Sequence, residues 1–117
     1  MSLAAVVAAA FVALQHVGFL VLEMFLWTRP LGRKVFRLTP ERAEATRVLA
    51  ANQGLYNGFL AAGLVFGLVR GGGDPAVVRF FLACVVAAGV FGAATVSRRI
   101  LWIQALPAAV ALALTAA

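Results

Sequence analysis

Apolar residues gather into four long runs along the chain, at about residues 2–28, 48–69, 76–96 and 100–116. Short polar stretches rich in glycine, proline or arginine separate them. A helix that crosses a bilayer needs roughly 20 mostly apolar residues, at about 1.5 Å of rise each. The pattern therefore predicts an all-α membrane protein. It would be a compact four-transmembrane-helix bundle forming a single transmembrane domain over residues 1–117, with a short interfacial helix before the second span. The fourth run is the shortest and carries Pro107, so a thinned bilayer or a partial crossing are alternatives to a full span there.

The breaks have local causes. Arg29-Pro30-Leu31-Gly32 should stop the first helix, because a residue before proline avoids the α region and a glycine follows. Thr39-Pro40-Glu41 reads as a helix start, with Thr39 as N-cap, Pro40 in the first helical position and Glu41 in the first turn. Residues 41–47 (ERAEATR) then form the interfacial helix. Gly71-Gly72-Gly73-Asp74-Pro75 predicts a turn, and Ser97-Arg98-Arg99 a tight connection.

Composition agrees with this layout. Hydrophobic residues make up 64% of the 117 and charged residues 12%, too little polar surface to keep a domain of this size dispersed in water. The net charge of +6 raises the question of nucleic acid. Six of the ten basic residues (Arg29, Arg33, Lys34, Arg37, Arg42 and Arg47) lie between the first two apolar runs, with no nucleic-acid motif beside them. A juxtamembrane cluster that sets topology and touches anionic lipid headgroups accounts for them, and nucleic acid is not an expected partner. The first run lacks a basic leader and is read as a retained span rather than a cleaved signal. With basic loops cytoplasmic, both termini fall outside. The lone Cys84 is read as a small packing residue.

Ionisable groups inside a membrane cost at least about 2.5–3.5 kcal/mol, which makes them informative. Glu23 is the only acidic residue within an apolar run, and His16 stands seven positions before it. Seven steps of about 100° return to nearly the same helix face, about 10 Å along the axis. The second run opens with Asn52, Gln53, Tyr56 and Asn57, spread over one broad face of about 140°. Counting rise from the basic side places Glu23, this quartet, Thr95 and Gln104 in one polar layer beneath an apolar outer half. The amides also serve as hydrogen-bonding glue between helices. Gly54/Gly58 and Gly63/Gly67 allow close helix approach, within the chain or in a dimer. Trp27 and Trp102 fit interfacial anchors or the walls of a ligand cavity.

The strings His16…Leu22-Glu23-Met24-Phe25-Leu26-Trp27, Arg33-Lys34-Val35-Phe36 and NQGLYNGFLAAGL (residues 52–64) resemble the small bacterial membrane family called domain of unknown function 1304. The resemblance extends over nearly the whole chain. It implies a four-helix protein of the bacterial cytoplasmic (inner) membrane with signature positions at His16, Glu23, Asn52, Gln53, Tyr56 and Asn57. It implies no activity.

Three functions fit these residues. In the first, Glu23 and His16 are an acid/base pair acting on a lipophilic small molecule, an isomerisation for example, while Asn52, Gln53, Tyr56, Asn57 and Gln104 hold its polar group. In the second, Glu23 is the exchangeable site of a small proton-coupled transporter working as a homodimer. In the third, the polar residues only hold a non-catalytic membrane protein together. His16 and Glu23 supply too few ligands for a metal, and no cofactor is expected. Membrane lipids, a lipophilic ligand and a second copy are the expected partners.

Overall fold

A computed structural model describes residues 1–116, and among them every regular element is helical. The elements are α1 (Leu3–Met24), α2 (Pro30–Phe36), α3 (Pro40–Ala45), α4 (Arg47–Val69), α5 (Pro75–Thr95) and α6 (Leu106–Ala116). A 3-10 turn at Arg70–Gly72 follows α4, and a π-helical turn at Leu101–Ala105 precedes α6. The chain divides into two compact units. One contains Met1–Leu14 and the chain from Leu60 onward, the other Gln15–Phe59.

Two helices, α1 with 22 residues and α5 with 21, are long and apolar enough to cross a membrane. That is fewer than the four expected, for two reasons. α4 is longer still at 23 residues, but Asn52, Gln53, Tyr56 and Asn57 fill its first half with polar groups. α6 has only 11 residues of α-helix, preceded by five of π-helix. The wide turn has a cause in Pro107, whose ring would collide with the carbonyl four residues earlier in a regular α-helix. Slackening the backbone just before the proline avoids that collision.

In the first unit, Ala9, Val12, Ala13, Leu64, Val78, Leu82, Val85, Ala108 and Ala111 form one buried apolar cluster. Small residues let its helices close up: a Cβ on Gly89 would lie 2.7 Å from the Ala105 nitrogen. The Arg79 guanidinium closes the far end, donating to the Thr115 carbonyl and hydroxyl. A cation there also meets the negative end of α6. Outward, Leu3, Val7, Phe11, Leu14, Phe80 and Phe91 are each more than half exposed. A water-soluble monomer rarely shows so much contiguous apolar surface.

The connection before α5 follows its residues closely. Gly71, Gly72 and Gly73 take φ values of +57, +83 and +120°, a region closed to most side chains. Asp74 then caps α5 by accepting from the Val77 N–H at 3.3 Å, with Pro75 in the first turn. Cys84 is a free, half-buried thiol on α5.

In the second unit, the expected stop at Arg29–Gly32 is a start. α1 ends earlier than residue 28, where the Val21 carbonyl accepts from both the Phe25 and Leu26 N–H groups. Pro30 then opens α2, in the one helical position where its missing N–H costs nothing. The single short helix expected before α4 is therefore two, α2 and α3. α3 begins as expected, with the Thr39 hydroxyl accepting from the Arg42 N–H at 3.2 Å. Thr39→Ala should lower stability by about 1 kcal/mol in denaturant unfolding, and Thr39→Ser should restore most of it. An unchanged Thr39→Ala curve would mean that the cap contributes nothing.

Candidate functional site

Glu23 is the last residue but one of α1, and the second unit packs this end of the helix against α4. The approach is close because α4 presents Ala50, Gly54 and Gly58 there. A Cβ on Gly54 would meet Met24 Cγ at 2.7 Å, and one on Gly58 would meet Leu20 Cδ1 at 2.6 Å. The Gly54/Gly58 pair thus serves packing inside one chain. Gly63 and Gly67 do the same in the first unit, against Phe81 and Val78.

Close packing brings Asn57 to the acid. Its side-chain amide donates to Glu23 Oε1 at 2.5 Å, and both residues are half-buried. The rest of the quartet divides. Asn52, Gln53 and Tyr56 are exposed, and the Tyr56 ring meets Phe59 edge-on. The broad polar face therefore has an inner edge at Asn57 and an outer part at the other three residues.

His16 is fully buried, with its ring edge-on to Phe19 at 5.1 Å between centroids. Two helical turns separate it from Glu23, beyond hydrogen-bond reach, and the donor to Glu23 is Asn57. Gln104 is half-buried on the π-helical turn and belongs to the other unit. Thr95, also there, spends its hydroxyl on the Phe91 carbonyl at 2.7 Å. The structure thus joins Glu23 to Asn57 and does not bring His16 to them.

Two concavities lie in the first unit, and Glu23 lines neither. The larger, about 800 Å³, is walled by apolar residues including Leu3, Val7, Phe11, Pro107 and Val110. The smaller, about 240 Å³, has Trp102 in its wall. Among the described residues no three His, Cys, Asp or Glu side chains gather as metal ligands do.

One cluster escaped the sequence reading. The Trp27 indole N–H donates to Thr46 Oγ1 at 3.0 Å, and its ring lies 4.7 Å from that of Phe36. The Thr46 hydroxyl in turn donates to the Arg42 carbonyl at 2.8 Å. Trp27 therefore binds the end of α3 to the end of α1, besides any anchoring role. The available signal was Thr46 itself, a hydroxyl in the run between the starts of α3 and α4.

Fold and site together define a small all-helical protein with two membrane-length helices and one carboxyl–amide pair at the end of the first. The chain belongs to the family described as "Protein of unknown function (DUF1304)", whose model matches residues 10–116. It is similar to the uncharacterized protein YpaA of Lactococcus lactis subsp. lactis (strain IL1403), at 27% identity over 106 residues, covering 89% of each chain. No solved structure matches.

Proposed function

We propose that this chain is a multi-pass protein of the cytoplasmic membrane whose Glu23–Asn57 pair is an acid/base centre for a lipophilic small molecule. The hydrogen bond from Asn57 to Glu23 carries the reading. It holds the one carboxyl of an apolar helix in a fixed orientation, as proton transfer to a bound molecule requires. The exposed Gln53 and Tyr56 of α4 supply donors and acceptors for a polar group arriving sideways from the bilayer, and Asn52, on the far side of α4 from the packed face, is given no part. The outward apolar residues of α1 and α5 support the membrane setting. α4 and α6 complete the crossings, with α4 carrying its polar turns near the cytoplasmic face. The basic segment 29–47 and the Arg98-Arg99 turn lie in the cytoplasm and both termini outside. His16, two turns deeper, is a second proton-exchanging group on the same helix face. Gln104 is given no part.

The test compares wild type with Glu23→Gln, purified in the same detergent and extracted with organic solvent for mass spectrometry. A species enriched with wild type should fall about tenfold or more in Glu23→Gln, the equivalent of about 1.4 kcal/mol of binding. The unfolding midpoint should hold, because glutamine keeps a carbonyl oxygen for Asn57 to donate to. Identical extracts with a lowered midpoint would reduce Glu23 to a packing element.

A further inference from the structure

The segment from Arg29 to Arg47 carries six cations against two carboxylates, Glu41 and Glu44. Only one of the six is paired among the described residues: Arg47 meets Glu44 at 3.3 Å, both groups well exposed. Among the described residues, Arg29, Arg33, Lys34, Arg37 and Arg42 have no ion pair. Three of them bracket one short helix: Arg29 is the extended N-cap of α2, Arg33 lies inside it and Arg37 is the left-handed C-cap, each four residues from the next. Like charges so placed repel. Between the two caps the Arg33 Nε is buried and has no hydrogen-bond partner among the described residues. A guanidinium nitrogen shut off from water is shut off from an outside anion as well, so Arg33 can meet one only through its terminal NH2 groups.

The place of α2 in the chain narrows the choice of anion. α2 starts six residues after the end of α1, a helix of membrane length, so under the membrane reading its free cations lie at the bilayer surface. Nucleic acid would call for exposed rings to stack on bases, whereas Trp27 and Phe36 are half-buried against each other. At that surface the anion within reach of the arginines is the phosphate of an anionic phospholipid. We propose that α2 and its flanking residues form a binding site for the headgroup of an anionic phospholipid, centred on Arg29, Arg33 and Arg37. The proposal rests on the membrane reading above.

The experiment follows the thermal unfolding of the full chain in detergent, titrated with phosphatidylglycerol, phosphatidylcholine or sodium phosphate. Phosphatidylglycerol should raise the midpoint, and added salt should weaken the effect. The combined variant Arg29→Gln, Arg33→Gln, Arg37→Gln should bind phosphatidylglycerol on the order of a hundredfold more weakly. Its lipid-free midpoint should be no lower than wild type's, because the repulsion is gone. Arg33→Gln alone should show a smaller loss of the same kind. An equal rise with phosphatidylcholine, an equal rise with sodium phosphate, or a full response in the triple variant would each overturn the site. Alkaline carbonate washing of membranes separates the two readings. Retention of the chain without a phosphatidylglycerol preference would defeat the lipid site alone, and release of the chain would defeat the membrane reading and the site with it.

Discussion

Gly32→Ala should destabilise the protein by about 3 kcal/mol or more, the largest effect expected from any single methyl group added to this chain. A Cβ at Gly32 would lie 1.9 Å from the Leu26 carbonyl oxygen, 2.6 Å from its carbon and 3.0 Å from the Trp27 Cα. All three are backbone atoms, so no rotamer change makes room and α2 must move away from the end of α1. That movement would pull Phe36 from Trp27 and strain the Trp27–Thr46 hydrogen bond. The loss should thus appear both as a lower unfolding midpoint and as a shift in tryptophan fluorescence. Leu31→Ala, next in sequence but exposed, should stay within about 0.5 kcal/mol of wild type. If Gly32→Ala matched Leu31→Ala, the close approach of α2 to Leu26 would be wrong.

Gly32 also shows where sequence reading reaches its limit. Proline and glycine in Arg29-Pro30-Leu31-Gly32 carry a local signal, yet α1 already ends at Met24, before that signal begins. The signal does not distinguish a chain breaker from a helix that starts at the proline and needs the glycine for contact. The distinction lies in Leu26, six residues earlier, and no propensity reports it. By contrast the Thr39 cap was legible, because a cap acts through N–H groups two or three residues away, while Asp74-Pro75 was read only as part of a turn. Membrane-length apolar runs were legible for α1 and α5 from composition alone. In α4 the polar quartet and the apolar length pull in opposite directions, and length decided the expectation.

The split of that quartet was nearly legible. Ala50, Gly54 and Ala61 point within about 40° of one another on a helical wheel, and they are buried. Asn57 lies about 20° beyond the edge of that stripe, while Asn52 lies on the opposite side. Small residues mark the packed face, so the amide nearest them is the one to turn inward. Read apart, the glycines suggested helix approach and the amides suggested a pocket. Read together, they pick out Asn57 as the partner of whatever α1 offers at that level. That the offer is Glu23 rather than His16 depends on how far the antiparallel helices slide along one another, which the Trp27–Thr46 bond and the short α2 and α3 decide.

The second large effect is expected at that pair. Asn57→Leu should cost about 2 kcal/mol, because it removes the donor to Glu23 and leaves a half-buried carboxyl against an apolar side chain. In the Glu23→Gln background the same change should cost less, about 0.5–1.5 kcal/mol, since a neutral amide loses less with its partner. The difference is the coupling between the two side chains, and a double-mutant cycle on unfolding midpoints measures it free of the effects each change has elsewhere. Additive costs would mean that the two groups do not interact, and the oriented carboxyl would lose its basis. A clear coupling together with unchanged solvent extracts would leave the bond as a structural tie between α1 and α4. Coupling together with loss of the extracted species in both single variants is the outcome expected of a working site, where Asn57 orients the carboxyl that the bound molecule meets.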